Sequence, residues 1–228
     1  IWEENHMNKI LSFVRLDFAA LKPYSKSLYM YAMIVIFVGV TNDSLNVVFA
    51  MVMVGLPMIL SYPFAISEKN SLDTLYSTLS LGRRDVVIGR YVFVFVIEMI
   101  AIAALLILAV IKSNFSPLDM TIEETFLYLS VLSMMFSIII SFQYPVFFKF
   151  GYTKAKLYTY IPLLLTFLII GVLPTIMTRL NIKINWQAIN QILMKNSMLT
   201  VLLPILIGVI SLLISCMVSM KIYERKDI

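Results

Sequence analysis

Histidine and cysteine are almost missing from this 228-residue chain, which holds one of each, His6 and Cys216. A lone cysteine inside an apolar run forms no intrachain disulfide, and zinc or iron–sulfur ligation lacks the residues it needs. With one histidine, near the amino terminus, His-based catalysis and histidine metal sites are close to excluded. Glycine is scarce as well. The seven, at 39, 55, 82, 89, 151, 171 and 208, are isolated from one another. No Gly-rich phosphate loop exists, so the chain is not expected to bind or hydrolyse ATP by itself.

Charge is equally thin. Charged residues fill 14% of positions and hydrophobic residues 61%, whereas a soluble domain sits near a quarter and a half. The fold class that follows is all-α, a polytopic bundle of helices in lipid. Six apolar runs predict spans at about 25–40, 45–66, 86–111, 125–148, 157–178 and 198–220. The first is short for about 30 Å of hydrocarbon. Thr41 to Ser44 alone separate it from the second, which suits a tight helical hairpin. Residues 1–6 are more polar and precede a methionine, so Met7 is expected as the natural start, with one domain over 7–228.

Orientation follows from the cations. With the amino terminus inside, Lys9, Arg15, Lys22, Lys26, Lys69, Arg83, Arg84, Arg90, Lys149, Lys154, Lys156, Lys221, Arg225 and Lys226 lie on the inner side. Only Lys112, Arg179, Lys183 and Lys195 stay outside, and the loop from Lys112 to Glu124 carries Asp119, Glu123 and Glu124 and is acidic on balance. Both termini are therefore expected in the cytoplasm. The net charge of +5 then needs no nucleic acid, because it describes a rim facing anionic lipid or an acidic partner.

Two inner segments read as more than connectors. Met7 to Lys22 forms an amphipathic helix with Ile10, Phe13, Val14, Phe18 and Leu21 on one face and Lys9, Ser12, Arg15 and Lys22 on the other, an in-plane anchor. Asp17 falls on the apolar face and calls for a basic partner or a helix end. Ser67 to Arg84 reads as a short helix capped by Ser67, with Leu72, Leu75, Tyr76 and Leu79 on one face and Gly82 as its stop. That face either rests on the bilayer or fills a groove in another protein.

Inside the spans, Glu98 stands near mid-depth, where a lipid-facing carboxylate is costly. It either contacts a cationic peptide or a proton-linked gate, or it is a protonated carboxyl bonded to Gln143, Ser137 or Ser141. Pro57 and Pro63 in the second span, and Pro162 and Pro174 in the fifth, mark bends that are either gates or static kinks. Between the last two spans, Trp186, Ile189, Ile192 and Leu193 recur at helical spacing.

The run Ser80-Leu81-Gly82-Arg83-Arg84-Asp85-Val86-Val87-Ile88-Gly89-Arg90-Tyr91 resembles a motif of small bacterial ABC-2 permeases. Phe148-Lys149-Phe150-Gly151-Tyr152-Thr153-Lys154-Ala155-Lys156 is similar to that family's element after the fourth span, and Ser219 to Asp227 to its basic tail. The family usually has proline where this chain has Leu81-Gly82. Within the family, the overall likeness is to permeases of staphylococcal phenol-soluble modulin exporters.

The resemblance implies the membrane half of an ATP-driven exporter in a bacterial plasma membrane. ATP and Mg²⁺ would be held by a separate ATPase subunit, docked on a coupling helix at Glu68, Leu72, Leu75, Tyr76, Leu79, Arg83 and Arg84. A second contact would lie at Lys149, Gly151, Tyr152 and Lys154. It also implies a second permease protomer, identical or related, and hydrophobic or amphipathic cargo such as cytolytic peptides. Two other readings compete: a secondary transporter using Glu98, or a non-transporting scaffold or immunity protein that binds a partner through Leu72 to Leu79.

Overall fold

The computed structural model describes residues 2–42, 44–70, 72, 82–114, 121–162 and 197–225, with 164, 165, 168, 172, 175, 176 and 179 between the last two stretches. Among the described residues the regular structure is helical throughout. Helix α1 (Trp2–Leu21) passes through a 3₁₀ turn at Lys22–Tyr24 into α2 (Ser25–Thr41). The expected start at Met7 thus lies within α1. The tight connection after Thr41 leads into α3 (Leu45–Ile59) and α4 (Tyr62–Lys69). The long helices α5 (Arg83–Ser113) and α6 (Ile122–Phe150) follow, then the single turn α7 (Tyr152–Ala155), and finally α8 (Ser197–Glu224).

Local chemistry sets these boundaries. At the start of α6, the Thr121 hydroxyl accepts the Glu124 N–H at 3.2 Å and the Glu124 carboxylate accepts the Thr121 N–H at 2.8 Å, a reciprocal cap. At α5 the Gly82 N–H donates to Asp85 at 3.2 Å. Gly82 therefore opens α5, and residues 73–81, which it is expected to terminate, lie outside the described residues. Ser67 does not cap a helix. It is buried in the last turn of α4, a helix that begins at Tyr62 with Pro63 in its first turn, where the missing N–H costs nothing.

The second expected span, 45–66, is two helices. Pro57 and Pro63 remove backbone donors, and the chain turns at Leu60–Ser61. Carbonyls near the break find other donors: the Ser61 hydroxyl bonds Met58 O at 2.6 Å, and the Tyr144 hydroxyl of α6 bonds Leu60 O at 3.3 Å. Lipid offers no water to do this, so side chains must.

Five helical stretches among the described residues are long and apolar enough to cross a bilayer: Leu11–Thr41, Leu45–Lys69, Arg83–Ser113, Ile122–Phe150 and Met198–Glu224. They fall at five of the six expected positions. The remaining one, 157–178, is described over 157–162 and then only in scattered residues, and the segment with Trp186, Ile189, Ile192 and Leu193 lies outside the described residues.

The core is built on α6 and α8, which pack along one another more extensively than any other pair. Gly208, Ser211, Ser215 and Ser219 recur every three or four residues and present one face of α8. The Ser141 hydroxyl donates to Ser211 at 3.2 Å and the Ser215 hydroxyl to Ser141 O at 2.7 Å. Tyr91 of α5 joins the seam, its hydroxyl 2.6 Å from Ser215 and 2.9 Å from Ser219. Small residues allow the close approach, and hydroxyls supply cohesion that apolar packing against lipid does not.

Contacts between helix ends sort the bundle into two faces. Arg83 donates to Glu224 O at 2.6 Å and Arg84 pairs with the Glu224 carboxylate. This brings the start of α5 to the end of α8. At the opposite face Lys112 bonds Asn42 O, and the Tyr128 hydroxyl bonds Asn46 O at 3.3 Å. The first face also carries the ends of α4 and α6 and the whole of α7, and with them Lys69, Lys149, Lys154, Lys156 and Lys221. It is the basic face.

Candidate functional site

Helix α1 lies against α5 and α4 near the basic face, and its sequence pattern decides which side is covered. Phe13, Val14, Asp17 and Leu21 are buried, while Leu11, Arg15 and Leu16 are exposed. Phe13 is fully buried on Gly89: a Cβ there would stand 2.7 Å from the Phe13 ring, so only glycine permits this approach. Phe18 is half exposed and meets Phe93 edge-on at 4.9 Å.

The basic partner that Asp17 required is Arg90. Its Nε lies 3.9 Å from Asp17 Oδ2, with both side chains 3% exposed. The guanidinium is also 4.0 Å from the Phe64 ring centre and 5.8 Å from that of Phe13. A buried cation held by one carboxylate and two aromatic faces joins α1, α4 and α5. Phe64 continues the join, since it packs on Tyr144, Phe147 and Phe148 of α6 at about 5 Å between ring centres. Arg90 reads in sequence as one more rim cation. The signal that places it inside is the unsatisfied Asp17, combined with Gly89 as the neighbouring residue.

On the basic face, Glu68 ends α4 and reaches across to α7. Its Oε2 accepts the Thr153 N–H at 3.0 Å. Gly151, with φ +77°, makes the bend that presents this N–H, and a Cβ on it would come within 3.0 Å of the same carboxylate. The first residue of the expected coupling segment and the loop after α6 are thereby one surface. Tyr152 stacks on Phe147 at 5.7 Å. Burial pushes the Tyr152 hydroxyl above its usual pKa, and a hydrogen bond with Ser61 pulls against that shift. A small cleft of about 70 Å³ lies here, lined by Phe64, Ser67, Glu68, Arg90, Gly151 and Tyr152 among others.

The remaining expected residues of this face divide in two. Leu72 is helical and packs partly buried against the core, and Lys154 is exposed. Lys149 is exposed as well and stands over its neighbour Phe150 at 5.1 Å. Arg83 and Arg84 are exposed and tied to Glu224. Leu75, Tyr76 and Leu79 lie outside the described residues.

Glu98 and Gln143, the two intramembrane polar candidates, lie apart, and of the three partners expected for Glu98 only Ser137 is at its carboxyl. Glu98 is buried, and the Ser133 hydroxyl donates to its Oε1 at 2.5 Å. Ser137 is a second hydroxyl partner, as expected, but Ser141 is engaged with Ser211. Gln143 sits ten residues beyond Ser133 on α6, about 15 Å along the axis. There it lines a separate small pocket with Pro57, Ser61, Tyr152 and Lys156. Ser133 is the partner that sequence reasoning missed. It lies one helical turn from Ser137, so the i, i+4 rule marked it once Ser137 was named.

Comparison with known proteins gives one family match: a model described as "ABC-2 family transporter protein" aligns with residues 12–224. No curated protein and no solved structure matches the chain.

Proposed function

Since the chain belongs to the ABC-2 transporter family over residues 12–224, we propose that it is the permease of an ATP-driven exporter, energised by a separate ATPase subunit docked on the basic face. ATP and Mg²⁺ belong to that subunit. Two permease protomers, identical or related, enclose the pathway in a bacterial plasma membrane. The basic face is cytoplasmic with both termini, 157–178 is the fifth of six spans, and α1 anchors the bundle at the inner interface. The cargo is hydrophobic or amphipathic, and cytolytic peptides such as phenol-soluble modulins fit that class.

The observation that carries this reading is the hydrogen bond between Glu68 and Thr153. It supports a docking surface made of two segments that move together. A partner closing on ATP presses on Leu72, Leu75, Tyr76 and Leu79, and the push reaches α6 through Glu68 and the turn at Gly151. Rigid helices transmit such a displacement, whereas a free loop absorbs it.

The test is co-purification. The full chain, co-expressed with an ATP-binding cassette subunit encoded beside it, should retain that subunit through detergent extraction. Leu75→Asp combined with Leu79→Asp should release the subunit while the permease still elutes as a folded protein. Retention of the ATPase by this double variant would overturn the docking assignment.

A further inference from the structure

A crevice of about 390 Å³ lies between α5, α6 and α8. Small-ligand sites occupy ~300–1,000 Å³, so the space suits a molecule and exceeds a packing defect. Its walls are mostly apolar, with Ile102, Leu106, Leu129, Val201 and Ile205 among them. Phe95, Met99 and Phe126 border it and are about half exposed, so the mouth opens sideways, on the flank of the bundle.

Glu98 is the one ionisable side chain among the described residues that line this space. It stands at the midpoint of α5 and is 4% exposed. The Ser133 and Ser137 hydroxyls hydrogen-bond its carboxyl, and Ser133, Ser137 and Ser130 all line the crevice. Hydroxyls orient a carboxylate without neutralising it. Arg90, two turns nearer the basic face on the same helix, is engaged by Asp17 and the Phe64 ring. The crevice therefore joins dry apolar walls to one oriented acid at mid-depth. A ligand satisfies both if it carries an apolar chain and a protonated amine: the chain fills the walls and the ammonium donates to Glu98.

We infer that the crevice between α5, α6 and α8 is a lipid-side binding site for single-chain cationic amphiphiles, with Glu98 as the acceptor of the ammonium group. The site depends on the fold alone and stands whether or not the chain exports anything.

The experiment uses the full-length protein in nanodiscs of zwitterionic lipid and follows saturable binding of a fluorescent long-chain alkylamine. The alkyl alcohol and alkyl sulfate of equal length serve as comparisons. The amine should bind in preference to the alcohol, and the sulfate should not bind. Glu98→Gln should weaken the amine about tenfold or more, the loss expected for one charge-assisted hydrogen bond, and leave the alcohol unchanged. Met99→Trp, a change at a half-exposed border position, should block amine and alcohol alike. It keeps the test decisive if Glu98→Gln does not fold. Equal binding of amine and sulfate, or amine binding untouched by Met99→Trp, would overturn the site. So would Met99→Cys protomers that cross-link to each other in the ligand-free protein, because a second copy would then cover the mouth.

Discussion

The Glu68 carboxylate caps α7 from 85 residues away in sequence, accepting the Thr153 N–H at 3.0 Å. An acidic group at the start of a single helical turn satisfies a donor that the turn itself leaves open. In doing so it fixes the end of α4 to the end of α6.

Breaking that join should separate assembly from coupling. Glu68→Ala removes the acceptor from an exposed position, so the fold should survive with a loss of no more than about 1 kcal/mol. The ATPase subunit should still co-purify, and cargo-stimulated hydrolysis should fall. Unchanged stimulation would show that α4 and α7 do not need each other.

Gly151→Ala should be the harsher change at the same place. A φ of +77° is strained for any residue with a Cβ, and that Cβ would crowd Glu68. A lower melting temperature in detergent is expected, reflecting a loss of about 1–2 kcal/mol.

The buried pair under the basic face predicts non-additive losses. Asp17→Ala leaves Arg90 as a buried cation without its carboxylate, and Arg90→Met leaves the converse, each costing about 3 kcal/mol or more. Asp17→Leu together with Arg90→Met should be milder than either single change. A double-mutant cycle on thermal unfolding reads the difference. Arg90→Lys should not rescue, since an ammonium lacks the planar face set on Phe64.

Gly89→Val should push α1 away from α5, because the new Cβ meets the Phe13 ring. Limited proteolysis of α1 should accelerate, and Phe13→Ala in the same chain should slow it again. Protection of α1 unchanged by Gly89→Val would mean that the helix is held elsewhere.

Sidedness is open to cysteine labelling on a Cys216→Ser background. Ser113→Cys and Thr121→Cys should react with an impermeant reagent in whole cells, and Arg84→Cys and Lys154→Cys only after the cells are opened. The reverse pattern would put the basic face outside and remove its role as an ATPase platform.

Much of this arrangement is legible in the amino-acid order because lipid imposes long apolar runs with basic ends. The ranges of α2, α5, α6 and α8 are expected within a few residues for that reason. Asp17 needing a cation is legible too, and Phe13, Val14 and Leu21 of the expected face are buried with it, whereas Phe18 of that face is half exposed. What local pattern does not carry is pairing between distant segments. Arg90 looks like rim charge until α1 covers it, and Glu98 names Ser133 only once α5 and α6 are side by side. Ser67 misled because it fits a cap by composition, while Pro63 fixes the helix start nearby.

The interruption at Leu60–Ser61 has a mechanical meaning. Two prolines divide a single crossing into a rod embedded beside α6 and a shorter rod whose far end carries Glu68. Tyr144 pins the pivot between them to α6 through Leu60 O. On the proposed docking of an ATPase at the basic face, a torque applied at the Glu68 tip would swing α4 about a fixed fulcrum while α3 keeps its seat, so the stroke would be delivered as rotation at one peptide unit and not as bending spread along the crossing.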